Sequence, residues 1–279
     1  MNALRVVPAI IGIPLAAGSL AAALCAIRGR PHSPAGLVIH DISPKGHPHL
    51  SWITPGTLRE TLVSLRKAGR PSVSLKQWHA GPHHSCSVLT FDDGFESVHR
   101  YALDAFRQTA QLATVFMVAG RIGAPSHGDI FRPGRHLGSH HLRELACAGF
   151  EIGSHTLTHP DLTRLEPSEL VRELADSRAI LEDCIGQQVT ALSFPYGGWN
   201  HRVWETAQEC GYQTATAYRG HRLCTPDILP VYGAYAFDTG SQLAQRAMGT
   251  GHPLETTRAL LMAQFSRGTS LWLHRPTYT

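Results

Sequence analysis

Short apolar runs alternate with amphipathic stretches along most of this chain, and that alternation restricts the fold more than any other feature. Residues 37–39, 87–91, 113–118, 150–153, 189–194, 213–217 and 269–273 read as strands. Residues 55–68, 96–109, 141–148, 168–185, 203–210 and 256–265 read as helices between them. In the first helix Leu58, Leu62 and Leu65 share a face, and Gly69 ends it. In the helix from 168, Ser168 is the expected cap, with Leu170, Leu174, Ile180, Leu181 and Ile185 as the apolar face. Strands joined by helical crossovers run parallel, so the expected class is α/β. Residues 219–253, rich in Gly, Pro and Tyr, give no pattern.

Polar motifs follow several of these strands, at the end of a parallel sheet where sites are built. Asp92 and Asp93 follow the strand at 87–91, and Gly94 permits a turn that brings both carboxylates to one pocket. Two close carboxylates resist joint ionisation unless a cation holds one of them. His155 and His159 follow the strand at 150–153, with the spacing of a single turn. Pro160 keeps His159 out of a helix, so a loop is expected there. Two imidazoles and one carboxylate make a three-donor site for a divalent metal, zinc foremost, with Co²⁺ or Ni²⁺ also suited. The second carboxylate is then free to act as a base. Ser193-Phe194-Pro195-Tyr196-Gly197 forms a turn whose backbone N–H groups can face the site, and His274 ends an apolar strand. Taken singly, each motif is also an ordinary turn or a structural histidine.

The chain has 279 residues, a length that fits an α/β barrel of roughly 200–250 residues as a single domain. A formal charge of +4 without any long Lys/Arg run argues against nucleic acid as a partner. Residues 6–27 are uncharged and flanked by Arg5, Arg28 and Arg30. This stretch is either a secretory signal, cut near Ala21-Ala22-Ala23, or a membrane anchor. A buried helix is opposed by Pro8, Gly12 and Pro14. The expected location is therefore exported or membrane-anchored, in the cell envelope or periplasm. The six cysteines include no Cys-x-x-Cys pair, which disfavours a thiolate metal site. Buried free thiols are expected.

In this order, the segments around Asp92-Asp93, His155–His159, Pro195-Tyr196 and His274 resemble the NodB-type polysaccharide deacetylases, carbohydrate esterase family 4. The resemblance includes Ala113-Thr114-Val115-Phe116 and Gly149-Phe150-Glu151-Ile152-Gly153-Ser154 and covers residues 86–275. It implies a distorted, incomplete (β/α) barrel. With the N-terminal reading above, the chain divides into a signal or anchor (1–30), a linker with a strand-helix extension of the barrel (31–85), and the deacetylase domain (86–279). The resemblance also implies hydrolytic removal of acetyl groups from an acetylated amino-sugar polymer or oligosaccharide. Asp92 is the implied base, Asp93, His155 and His159 the metal ligands, the Tyr196 N–H an oxyanion donor and His274 the acid. Pro195, Trp272 and His40 are the candidate substrate contacts, with barrel packing the other reading of Trp272 and a structural role the other reading of His40.

Many members have Arg at the position of Ser193, where it orients the base, so that role looks vacant in this chain. The Phe-Pro-Tyr-Gly form and the upstream Leu37-Val38-Ile39-His40-Asp41-Ile42 look more like the poly-N-acetylglucosamine branch. Asp227 and Asp238 are the candidate acidic partners of His274. Two other readings fit the same residues: a non-catalytic carbohydrate-binding protein and an O-acyl esterase.

Overall fold

The structure is a computed structural model, and it describes residues 36–47, 49–81, 85–126, 134–218, 225–252, 254, 257–258 and 261–262. The expected signal or anchor, the linker, the strand at 269–273, Trp272 and His274 lie outside these residues, as does most of the helix at 256–265. Among the described residues no helix is long and apolar enough to cross a membrane.

The first half of the chain forms β1 (Gly36–Ile39), β2 (Asp41–Ile42), β3 (Trp52–Ile53), α1 (Pro55–Lys67), β4 (Ser72–Val73), α2 (Leu75–Ala80), β5 (Ser87–Phe91), α3 (Glu96–Thr109) and β6 (Thr114–Met117). The second half adds α4 (Ser139–Cys147), β7 (Glu151–Ser154), α5 (Pro167–Ile185), β8 (Ala191–Ser193), α6 (His201–Glu209), β9 (Thr214–Tyr218), β10 (Ile228–Gly233) and α7 (Gly240–Ala247). Strands β5 to β10 pair in sequence order, and β1 lies between β10 and β5. All these pairings are parallel, so β1 closes a seven-stranded barrel with helical crossovers. The short β4 adds to the start of β5. This is the expected distorted (β/α) barrel.

Strand periodicity separates two cores. Leu37, Ile39, Leu89, Phe91, Val115 and Met117 belong to the large cluster shared with the helices. Val38, Val88, Phe116, Ala191, Leu229 and Val231 form the second cluster, with Leu75 and Trp78 of α2 packed against them. Phe116 needs room there. A Cβ on Gly153, its partner in register, would lie 2.5 Å from the Phe116 ring.

Several details differ from the sequence expectations. Helix α5 starts one residue earlier, after Glu166, and not from a Ser168 cap. Pro167, with φ preset, occupies its first turn, and the Glu169 carboxylate accepts from the Glu166 N–H at 3.2 Å. Ile180 is exposed, and the buried stripe instead takes in Glu173 and Ser177. The described cysteines Cys86, Cys147, Cys184 and Cys210 are free thiols as expected, but none is fully buried. Asp238 is committed elsewhere. Both its oxygens accept from the buried Arg246 guanidinium at 2.9 Å, and Oδ1 also meets Arg258 at 3.3 Å.

Candidate metal centre

Every described motif residue stands just beyond the C-terminal end of a barrel strand. Asp92 and Asp93 follow β5, His155 follows β7, Ser193 ends β8 and His40 follows β1. The two neighbouring carboxylates reach one pocket because the chain turns sharply at them. Asp93 and Gly94 both adopt left-handed backbone, with φ of 68° and 71°. Gly94 also needs to lack a side chain, since a Cβ would overlap Met117 Sδ. Buried His136 secures the turn through its Nδ1, 3.0 Å from the Asp93 carbonyl. The Leu137 N–H donates to the Gly94 carbonyl at 2.8 Å.

The His155–His159 segment is a loop, as Pro160 implied, with Thr156 and His159 at positive φ. Glu173, buried on α5, organises it. Its Oε2 accepts from the N–H groups of Leu157 at 2.9 Å and Thr158 at 2.8 Å, and its Oε1 accepts from Thr158 Oγ1 at 2.6 Å. Sequence reading missed Glu173. The available signal was an acidic residue set in the apolar stripe beside Leu170 and Leu174.

These two loops bring the donors together. Nε2 of His155 and of His159 lie 3.6 and 3.5 Å from Asp93 Oδ1, and all three donor atoms fall within 4.8 Å of one another. Donors on one tetrahedral ion stand roughly 3.3 Å apart, given ligand bonds of about 2.0–2.2 Å. The cluster therefore fits a single divalent ion. The imidazoles are in the right form to bind it. His155 Nδ1 is 2.9 Å from the Ser193 carbonyl, so Nδ1 carries the proton and Nε2 keeps its lone pair for the ion. Burial, and then the neighbouring His155, push His159 down to about 3, so it is neutral and also has a lone pair to offer.

Asp92 is buried beside the triad, with Oδ2 3.9 Å from His155 Nε2. Ser193 Oγ donates to that Oδ2 at 2.7 Å. Thus Ser193, where many members of the family carry Arg, provides a hydrogen-bond donor to the Asp92 carboxylate. Asp92 Oδ1 is buried and has no hydrogen-bond partner in the protein. Burial pushes the Asp92 carboxyl up to about 6, against the opposing pull of His155 and of the Ser193 hydrogen bond. Tyr196 adopts left-handed backbone, with φ of 57°, in the turn after Pro195, and its ring meets His159 edge-on at 4.8 Å. His40 lies on the same rim, 3.3 Å from the Tyr218 hydroxyl through Nε2. The placements of His274 and Trp272 fall outside the described residues.

Comparison with known proteins agrees with this geometry. Residues 79–215 match the family model for polysaccharide deacetylase. YxkH of Bacillus subtilis (strain 168), provisionally named a polysaccharide deacetylase, is 32% identical over 132 residues, which are 47% of this chain and 44% of YxkH. A chitooligosaccharide deacetylase of Bradyrhizobium sp. (strain ANU 289) is 39% identical over 125 residues, covering 44% of this chain and 51% of the relative. The chain therefore spans about half the length of these curated relatives. The deacetylase PplD of Streptococcus pyogenes, solved with acetate, shares the fold at a TM-score of 0.63 and 18% identity, over 78% of this chain and 99% of that one. The matched part of this chain is similar in sequence to the polysaccharide deacetylases, the NodB-type family that the motifs resemble.

Two outcomes follow for the site. Glu173→Ala frees the loop that aims both imidazoles, so zinc affinity measured by calorimetry should fall roughly 10–100-fold. Asp92 has a folded pKa raised from 3.8 to about 6, so the stability it contributes is present below pH 3.8 and is lost as pH rises through about 6. Metal-free Asp92→Asn should therefore gain on the wild type as pH rises, levelling off on the order of 3 kcal/mol above neutrality. Urea denaturation with chelator at several pH values reads this gap, and a constant gap would refute the burial argument.

Proposed function

We propose that this chain is a metal-dependent hydrolase that removes acetyl groups from N-acetylglucosamine-containing glycans. The observation that carries the reading is the convergence of Asp93, His155 and His159 beside a buried Asp92 whose Oδ1 has no protein partner. The donor set suits Zn²⁺, with Co²⁺ or Ni²⁺ as substitutes. A divalent ion held there supplies Lewis acidity to a water and to the acyl carbonyl.

The protein's own groups do the rest. Asp92 Oδ1 takes the proton of the attacking water, while Ser193 holds Oδ2 and fixes the carboxylate plane. The Tyr196 backbone N–H donates to the oxyanion that develops on the acetyl carbonyl. By motif, His274 gives a proton to the leaving amine, and Pro195, Trp272 and His40 contact the sugar. The non-catalytic reading drew on the absent Arg, and the Ser193 hydroxyl weakens it. The family match over residues 79–215 and the printed activity of the Bradyrhizobium relative support an amino-sugar substrate. The segment at 37–42 favours poly-N-acetylglucosamine within that class. The uncharged stretch at 6–27 supports work at the cell envelope, and finding the full chain in the soluble cytosolic fraction would overturn that assignment.

Acetate release from N-acetylglucosamine oligomers tests the activity. Chelation should abolish it and Zn²⁺ restore it. Asp92→Asn should retain the ion but lose turnover, and His274→Ala should lose roughly 10²–10⁴-fold in kcat. Release that survives removal of the metal refutes the proposal, and release only from O-acetyl esters would favour the esterase. The pH profile gives a separate test. The rate should rise with pH through the Asp92 pKa, at or below about 6 because a neighbouring cation favours the ionised form. Ser193→Ala removes a hydrogen bond to that form, so the acid limb of kcat/KM should move to higher pH.

A further inference from the structure

A second group of metal donors lies outside the triad, and the proposed reaction gives none of them a role. Asp41 on β2 and His47 and His49 in the loop before β3 place three donor atoms within 4.8 Å of one another. We propose that these residues form a second divalent-cation site, of the class filled by zinc, which fixes the β2–β3 loop to the barrel.

Both imidazoles aim Nε2 at one oxygen. His47 Nε2 is 3.1 Å and His49 Nε2 4.0 Å from Asp41 Oδ2. A hydrogen bond accounts for the first distance but not the second. An ion about 2.0–2.2 Å from each donor accounts for both, with shifts of a few tenths of an ångström. The rings stack nearly parallel, 6° apart with centroids at 5.3 Å.

The carboxylate is prepared for such a ligand. Asp41 is buried, and among the described residues no Lys or Arg pairs with it. Its Oδ1 accepts from the Ile42 N–H at 2.8 Å and from Ser97 Oγ at 2.6 Å, so Oδ2 is the oxygen turned to the imidazoles. Outer hydrogen bonds of this kind orient metal-binding carboxylates. The loop is also held in shape. Trp52 Nε1 donates to the His49 carbonyl at 2.7 Å, and Ser43 Oγ donates to the Gly46 carbonyl at 3.3 Å. Gly46 is left-handed, with φ of 80°, and the Trp52 ring lies where a Cβ would stand 3.0 Å from Cζ2. Two imidazoles and one carboxylate, with the rest of the coordination sphere left to water, suit Zn²⁺ before Mg²⁺ or Ca²⁺.

Ion counting tests this on the full chain. Wild-type protein is stripped with chelator, loaded with Zn²⁺, passed through gel filtration and assayed for bound zinc by atomic absorption. His47→Ala/His49→Ala should hold one ion fewer per chain than the wild type. His155→Ala/His159→Ala should also hold one fewer, and the two losses should add in the quadruple variant. Asp41→Asn, a smaller change, should lose the same ion as the first pair, and circular dichroism reports whether each variant is folded. Zinc should also raise the melting temperature of the His155→Ala/His159→Ala variant, a readout independent of turnover. An ion count unchanged by both His47→Ala/His49→Ala and Asp41→Asn overturns the second site and leaves the triad untouched. Loss of zinc only on mutating His155 and His159 does the same.

Discussion

A carboxylate and two imidazoles packed into the mouth of a barrel are costly without an opposite charge. Burial, the largest cause of both shifts, lifts Asp92 to about 6 and drives His159 down to about 3. Both shifts remove charge from the rim, and they are what a low-dielectric pocket imposes. The surrounding structure accepts this cost in a directed way. It holds His155 Nδ1 against the Ser193 carbonyl, ties Asp92 Oδ2 to the Ser193 hydroxyl, and leaves the remaining donors facing one point. A cation at that point satisfies groups that the protein otherwise leaves poorly compensated. One residue of β8 thus serves two partners, one through its backbone and one through its side chain. The backbone contact tolerates most residues at position 193, whereas the side-chain contact needs a donor.

The barrel supplies the geometry. Asp92 receives its last rung from β1, because its N–H donates to the Ile39 carbonyl at 3.1 Å. The His155 N–H similarly donates to the Met117 carbonyl of β6 at 2.9 Å. Site residues are therefore extensions of sheet ladders and inherit their rigidity. The segment at 36–39 does more than precede the domain: it pairs on both edges, with β10 and with β5, and so closes the ring on which the rim is built.

Much of this was legible in the sequence, where period and chemistry agreed. Strand β5 and helix α3 have the bounds read from their patterns, and the Asp92-Asp93-Gly94 and His155–His159 segments meet as their chemistry required. Strand β10 was not legible because Pro230 interrupts its apolar run, and Pro normally argues against an interior strand. Strand β4, two residues long, gives no period. The Ser193 hydrogen bond was hidden for another reason. Comparison with a family pattern registers a missing Arg but not a shorter donor that reaches the same carboxylate once β5 and β8 are placed. His47 and His49 were lost among 18 histidines, since spacing along a loop says little until the loop is folded.

Two buried carboxylates outside the triad show how similar groups take different roles. Glu173 spends its oxygens on the Leu157 and Thr158 N–H groups and on the Thr158 hydroxyl, so its lone pairs go to ordering a loop. Asp41 spends only Oδ1 on such donors and turns Oδ2 to two imidazoles. A carboxylate whose acceptor capacity is filled by protein donors is structural. One with an oxygen held back, beside nitrogen donors and without a basic side chain, carries the electrostatic signature of a ligand. At the central cluster His155 and His159 likewise face Asp93 Oδ1. The distinction lies in how each oxygen is used, which neither residue type nor burial reveals by itself.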